Sequence, residues 1–162
     1  MSTADSEPVD VRAKRVIVAG VGNVLRGDDG FGPAVTELLD DMPQGVDVIE
    51  TGIGGIALLQ ELMAGCDGLV LIDAVDQGEA PGTVILMRPD VPEAVHVPDI
   101  HLANPDRVLS MAKTIGCLPE RVIIVGGQVS SVDTLGEGRS PEVDRALAIA
   151  VKKIKETVDA WL

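Results

Sequence analysis

The run Gly68-Leu69-Val70-Leu71-Ile72-Asp73 carries no polar side chain until its last residue. A strand with one wet face alternates apolar and polar residues, so a strand without alternation is buried on both faces, between two layers of helices. Residues 15–20, 46–50 and 121–126 are further short β-branched runs, the first and last ending in glycine. Between the runs the apolar spacing turns helical: Phe31, Val35, Leu38 and Leu39, then Ile56, Leu58, Leu59, Leu62 and Met63, then a short helix over 105–112. A last helix has Ser140 as N-cap, Pro141 in its first turn, and Val143, Leu147, Ala150, Ile154, Val158 and Trp161 along one side. Residues 83–87 follow the turn at 80–82 without room for a long helix, so that strand is expected to run antiparallel. The alternation predicts an α/β fold, a three-layer α/β/α sandwich with a mostly parallel, twisted central sheet and one antiparallel strand.

A chain of 162 residues suits one domain. Residues 1–14 read as a flexible N-terminal tail, acidic and interrupted by Pro8, and residues 15–162 as the domain. With no Tyr and one each of Phe and Trp, the core must be built from Val, Ile, Leu and Ala. A formal charge of −13 repels phosphate backbones and argues against nucleic acid; a basic or metal-bearing partner fits better. Cys66 and Cys117 have no CxxC spacing and read as free thiols of a reducing compartment, packed in the core or a loop. Neither an apolar secretory stretch nor a run of about 18 apolar residues is present, so the expected location is the cytoplasm, away from membrane. Size and acidic surface are compatible with a monomer.

In a doubly wound sheet ligands bind beyond the carboxyl ends of the strands. The segment after the first strand, Gly20-Val21-Gly22-Asn23-Val24-Leu25-Arg26-Gly27-Asp28-Asp29-Gly30-Phe31-Gly32, therefore matters most. Gly20, Gly22 and Glu50 imitate a dinucleotide fingerprint, but Leu25 stands where the third glycine belongs, and two aspartates would face a pyrophosphate. One of the pair is expected to cap the helix that follows. Asp73, ending a buried strand, needs a cation or hydrogen-bond donors; the alternative is that it caps the turn 74–78. Residues 88–104, with Pro89, Pro92 and Pro98, read as a long loop holding His96 and His101. Two carboxylates with His101 are a reasonable set for a divalent ion such as Ni²⁺ or Zn²⁺. His96 reads as a surface residue. No Gly-x-Ser-x-Gly occurs, and neither cysteine has a recognisable histidine partner, which disfavours serine and thiol hydrolases. A non-catalytic metal- or nucleotide-binding module on the same scaffold is the alternative from another class.

The segment 20–32, with Thr51-Gly52-Ile53-Gly54-Gly55, Leu71-Ile72-Asp73-Ala74, Ala80-Pro81-Gly82-Thr83, a histidine in the next loop and Ser140-Pro141, resembles the hydrogenase maturation proteases from about residue 15 to residue 162. The resemblance implies an aspartic-type, metal-recognising endopeptidase. Such an enzyme removes the C-terminal extension of a [NiFe] hydrogenase large-subunit precursor after nickel insertion. By motif position its catalytic and metal-contacting residues would be Asp29, Asp73 and His101. The Ni²⁺ would be recognised in the precursor, and another divalent ion could take the site in vitro. Glu50 stands where that family often has aspartate, and the stretch 99–105 lacks its usual serine before the histidine.

Overall fold

The structure, a computed structural model, describes residues 14–52, 55–93, 105–130 and 138–162. The tail assigned to residues 1–14 lies outside them, save for Lys14. Strands β1 (Val16–Val21), β2 (Val46–Gly52), β3 (Gly68–Val75), β4 (Val84–Met87) and β5 (Arg121–Gln128) form a sheet in the order β2-β1-β3-β5-β4. The first four in that order are parallel, while β4 pairs antiparallel with β5, as the short 80–82 connection requires.

The run 68–73 behaves as its composition demands: Leu69, Val70, Leu71 and Ile72 are all fully buried, in two different cores. Val70 and Ile72 join Val18, Phe31, Val35, Val143 and Ile154 under α1 (Phe31–Glu37) and α4 (Pro141–Trp161). Leu69 and Leu71 join Ile17, Leu58, Leu62, Val108 and Leu109 under α2 (Ile56–Met63) and α3 (Pro105–Ile115). Each such side chain contributes roughly 1.5–3 kcal/mol through burial, and the successive residues of one strand feed opposite layers. The α/β/α sandwich follows directly.

Two apolar positions fall elsewhere than their spacing suggests. Helix α1 closes with tight turns, Leu38 N–H to Val35 C=O and Leu39 N–H to Thr36 C=O. Tightening a last turn rotates the residues on it, and Leu38 ends 48% exposed while Leu39 is buried. On α2 the stripe facing the core is Leu58 and Leu62, four apart, which leaves Ile56 and Met63 on the wet side.

From β1 the chain passes through α1 to β2 on one side, whereas β3 lies on the other side of β1. The strand order thus reverses between β1 and β3, and a crevice opens beyond their carboxyl ends.

Candidate active site

Asp29 follows β1 and Asp73 sits on β3, so the two acids come from the strands that flank this switch point. The loop carrying Asp29 is shaped by Asn23. Its N–H donates to Asp29 Oδ2 (2.7 Å), its Oδ1 accepts from Leu25 N–H (2.9 Å), and its carbonyl accepts from Arg26 N–H (3.0 Å). Asp29 N–H then bonds the Arg26 carbonyl, opening the 3-10 turn Gly27–Gly30 that leads into α1. Val24 and Leu25 are held at the tip of this loop, 61% and 64% exposed.

Two glycines make the geometry possible. Gly22 has φ of 144°, and a Cβ there would collide with the Asp29 carbonyl oxygen. A Cβ on Gly32 would strike the carbonyl oxygens of Val21 and Ile72, so α1 could not sit down on β1 and β3. A Cβ on Gly20 would likewise meet the Gly32 carbonyl oxygen, so the two glycines that imitate a dinucleotide fingerprint, Gly20 and Gly22, serve close packing against backbone. The start of α1 is itself buried at Gly30, Phe31 and Gly32, and is not offered to a phosphate.

Asp73 lies within β3, which runs on to Val75, and its register partner on β5 is Gly126, followed by Gly127 opposite Ala74. Burial pushes the Asp73 carboxyl up to about 7; the charge of Asp29 adds to the rise, the Ala74 N–H opposes it, and Asp106 in the first turn of α3 adds further. Among the described residues neither Asp29 nor Asp73 has a Lys or Arg ion-pair partner. The turn after β3 does not depend on Asp73. Gln128, 3% exposed, holds it by accepting from Gln77 N–H (2.7 Å) and Glu79 N–H (3.4 Å) and donating to Asp76 Oδ1 (3.1 Å).

The expected cap is not what either aspartate of the pair provides. The 3-10 turn and α1 begin at Arg26 and Gly30 without a side-chain cap. Asp28, 2% exposed, instead accepts from Ser130 N–H (2.7 Å), Ser140 N–H (2.6 Å) and Ser140 Oγ (3.0 Å). The buried Asp28 carboxylate must be satisfied, and backbone donors at the end of β5 and the entry to α4 supply its bonds. The sequence shows no signal for this, nor for the role of Gln128 in the turn, since the residues that each one ties down here are remote in the chain.

His96 and His101 lie outside the described residues. Two carboxylates within electrostatic reach of each other are the right chemistry for part of a divalent-ion site. They are only part of one: among the described residues no group of three or more His, Cys, Asp or Glu could hold a metal. Glu50 is exposed on β2. Cys66 and Cys117 are free, half-buried against the α2–α3 core, and burial pushes both thiols up, away from nucleophilic thiolate. Among the described residues no helix is long and apolar enough to cross a membrane.

Comparison with known proteins gives this geometry a family. Residues 33–157 match the family model for hydrogenase maturation protease (HycI). The chain is 34% identical over 151 residues to the hydrogenase expression/formation protein HupM of Azotobacter chroococcum, covering 87% of this chain and 72% of that one. It is 30% identical to the hydrogenase 2 maturation protease of Escherichia coli, covering 86% and 88%. The structure superposes on the hydrogenase maturating endopeptidase HybD of E. coli with a TM-score of 0.76 at 28% identity, over 90% of this chain and 93% of that one. It also superposes on the [NiFe] hydrogenase maturation protease HycI of Thermococcus kodakarensis with a TM-score of 0.69 at 26% identity, over 88% and 91%. With the fold and both kinds of likeness in agreement, the chain belongs to the hydrogenase maturation protease family, an endopeptidase by kind.

Proposed function

We propose that this endopeptidase removes the C-terminal extension of a [NiFe] hydrogenase large-subunit precursor by aspartic-type chemistry between Asp29 and Asp73, licensed by nickel that the precursor already carries. The observation behind this reading is the meeting of two acids from separate strands, close enough for the charge of Asp29 to help raise Asp73 to about 7. Evolution toward stability alone would pair or remove such groups; sites that move protons keep them.

Peptide hydrolysis needs a base for the attacking water and an acid for the departing amide nitrogen. A carboxyl that titrates at about 7 exchanges its proton readily at neutral pH. One member of the pair accepts the proton of the water, and the other delivers a proton to the nitrogen as the C–N bond breaks. The hydrogen bond from Asn23 N–H to Oδ2 fixes the direction of the Asp29 carboxylate. Nickel in the precursor is cargo of the substrate: it would be contacted by Asp29, Asp73 and His101, and would polarise the scissile carbonyl or the water. Recognition of the loaded state then comes from the same acids that act on the bond. Val24 and Leu25, exposed beside Asp29, offer apolar area to the incoming peptide. The same reading places the protein in the cytoplasm as a monomer, with no role for nucleic acid.

The test is the intact mass of a cognate precursor incubated with the protein, with and without prior nickel loading. Loss of one defined C-terminal peptide from the loaded precursor alone is the expected result. Equal cleavage of both forms would remove the nickel licence, and no cleavage of either would remove the proposal.

A further inference from the structure

Asp28 and Asp29 are neighbours of the same type, yet one faces the crevice and the other is sealed inside. The buried one is satisfied by donors from two other segments. Oδ1 of Asp28 accepts from Ser140 N–H, and Oδ2 accepts from Ser130 N–H and from the Ser140 hydroxyl. The Ser140 oxygen in turn accepts from Val143 N–H (3.4 Å), so the first turn of α4 is joined to the same group. Val129, next to Ser130, donates its N–H to the carbonyl of Val75 (3.0 Å), two residues beyond Asp73 on β3. Two hydrogen bonds joined by the Val129–Ser130 peptide link therefore connect the turn that bears Asp29, through Asp28, to the strand that bears Asp73.

We infer that Asp28 is a positioning residue: its carboxylate locks the Asp29 turn onto the end of β5 and the start of α4, and so sets the separation of Asp29 and Asp73. This rests on the role proposed for those two acids. Adjacent residues of a 3-10 turn project about a third of a revolution apart, so anchoring Asp28 inward directs Asp29 outward. The anchor is specific for a carboxylate. Ser130 N–H, Ser140 N–H and the Ser140 hydroxyl converge on its two oxygens, and an asparagine of the same size would turn an NH₂ group toward one of them, leaving an N–H or O–H without its acceptor. Gly22 supports the lock from the other side, since only its missing side chain lets the Asp29 carbonyl settle there.

Asp28→Asn in the full chain tests the lock by two readings, both taken well below the midpoint of thermal unfolding. The first is cleavage of nickel-loaded precursor: a fall in kcat of roughly 10- to 100-fold is expected, with KM changed less than about two-fold. The second is amide exchange at Asn23, whose N–H is held by Asp29 Oδ2; it should accelerate while amides of β2 keep their protection. Leu109→Ala, a cavity in the opposite core, is the control for lost stability and should keep its kcat. If Asp28→Asn does not fold, Ser140→Ala, which removes the hydroxyl donor, is expected to show the same two changes at a few-fold size. Normal exchange at Asn23 overturns the inference, as does a kcat loss that Leu109→Ala reproduces. Asp29→Ala run alongside separates the two ideas: if it cleaves normally the paired-acid reading fails, whereas the exchange at Asn23 still decides whether Asp28 holds the turn.

Discussion

At the N-terminal end of the sheet Arg15 gathers acids and carbonyls around one guanidinium. It bonds Asp47 on β2 (2.7 Å) and Glu61 on α2, donates to the carbonyls of Glu61 and Gly65 at the close of that helix, and its own N–H reaches Asp67 before β3. At the C-terminal end burial raises Asp73 and the charge of Asp29 adds to the rise, with no such cation among the described residues. The same residue type lowers the energy of the fold at one end and raises it at the other. Acids that stabilise can be explained by the fold itself; acids that cost stability call for something beyond it, which on the proposed reading is a metal-bearing substrate.

If this contrast is right, changes at the two ends should separate activity from stability. The largest expected effect is on catalysis. Asp29→Ala should lower precursor cleavage by roughly 100-fold or more, read by mass spectrometry, with the unfolding midpoint at or above that of wild type. Asp73→Asn should make the protein more stable, and the sign follows from the titration. With its folded value raised from 3.8 to about 7, the carboxyl costs nothing where both states are protonated, below about pH 4. The cost grows as pH rises from there to about 7 and is constant above it. After allowance for partial exposure, urea unfolding with chelator present should show Asp73→Asn more stable by roughly 1–3 kcal/mol at pH 8 and equal to wild type at pH 4. Equal stability at both values would mean that Asp73 has a cationic or donor partner in solution.

The opposite end should answer in the opposite sense. Arg15→Met keeps the aliphatic stem but removes two ion pairs and two bonds to helix-end carbonyls. Its guanidinium is a quarter exposed, so a stability loss of about 1–2 kcal/mol is expected, with cleavage per folded molecule unchanged. A loss of activity in folded protein would show that the two ends are coupled.

How far the sequence could be read depended on how far apart the deciding contacts lie. The unbroken run of β3, the cap of α4 by Ser140 and Pro141, and the antiparallel turn before β4 are local signals, and each element formed where its residues indicate. Where Asp29 and Asp73 lie, at the carboxyl end of the sheet, was legible through the switch-point rule, while the role given to them rests on the resemblance. Asp28 was not legible, because nothing nearby distinguishes it from Asp29: its partners are 102 and 112 residues further along the chain. Gln128, which organises a turn 49 to 52 residues earlier, escaped for the same reason. Leu38 misled because helical spacing continues past the residue at which α1 tightens and stops. His101 lies outside the described residues, so the third member of the expected set rests on the resemblance.

The smallest expected effect concerns the tip of the loop between the two roles. Leu25 is 64% exposed and its N–H is already satisfied by Asn23 Oδ1, so neither packing nor hydrogen bonding requires leucine there. Leu25→Ser should therefore leave stability within about 0.5 kcal/mol of wild type. If the side chain instead covers apolar surface of the precursor, losing it should raise KM by roughly three-fold, the scale of a partly buried aliphatic contact, and leave kcat alone. Initial rates against precursor concentration separate the cases. An unchanged KM would confine the functional end of the sheet to its acids, while a fall in kcat would mean that the apolar tip helps to hold Asp29 in place.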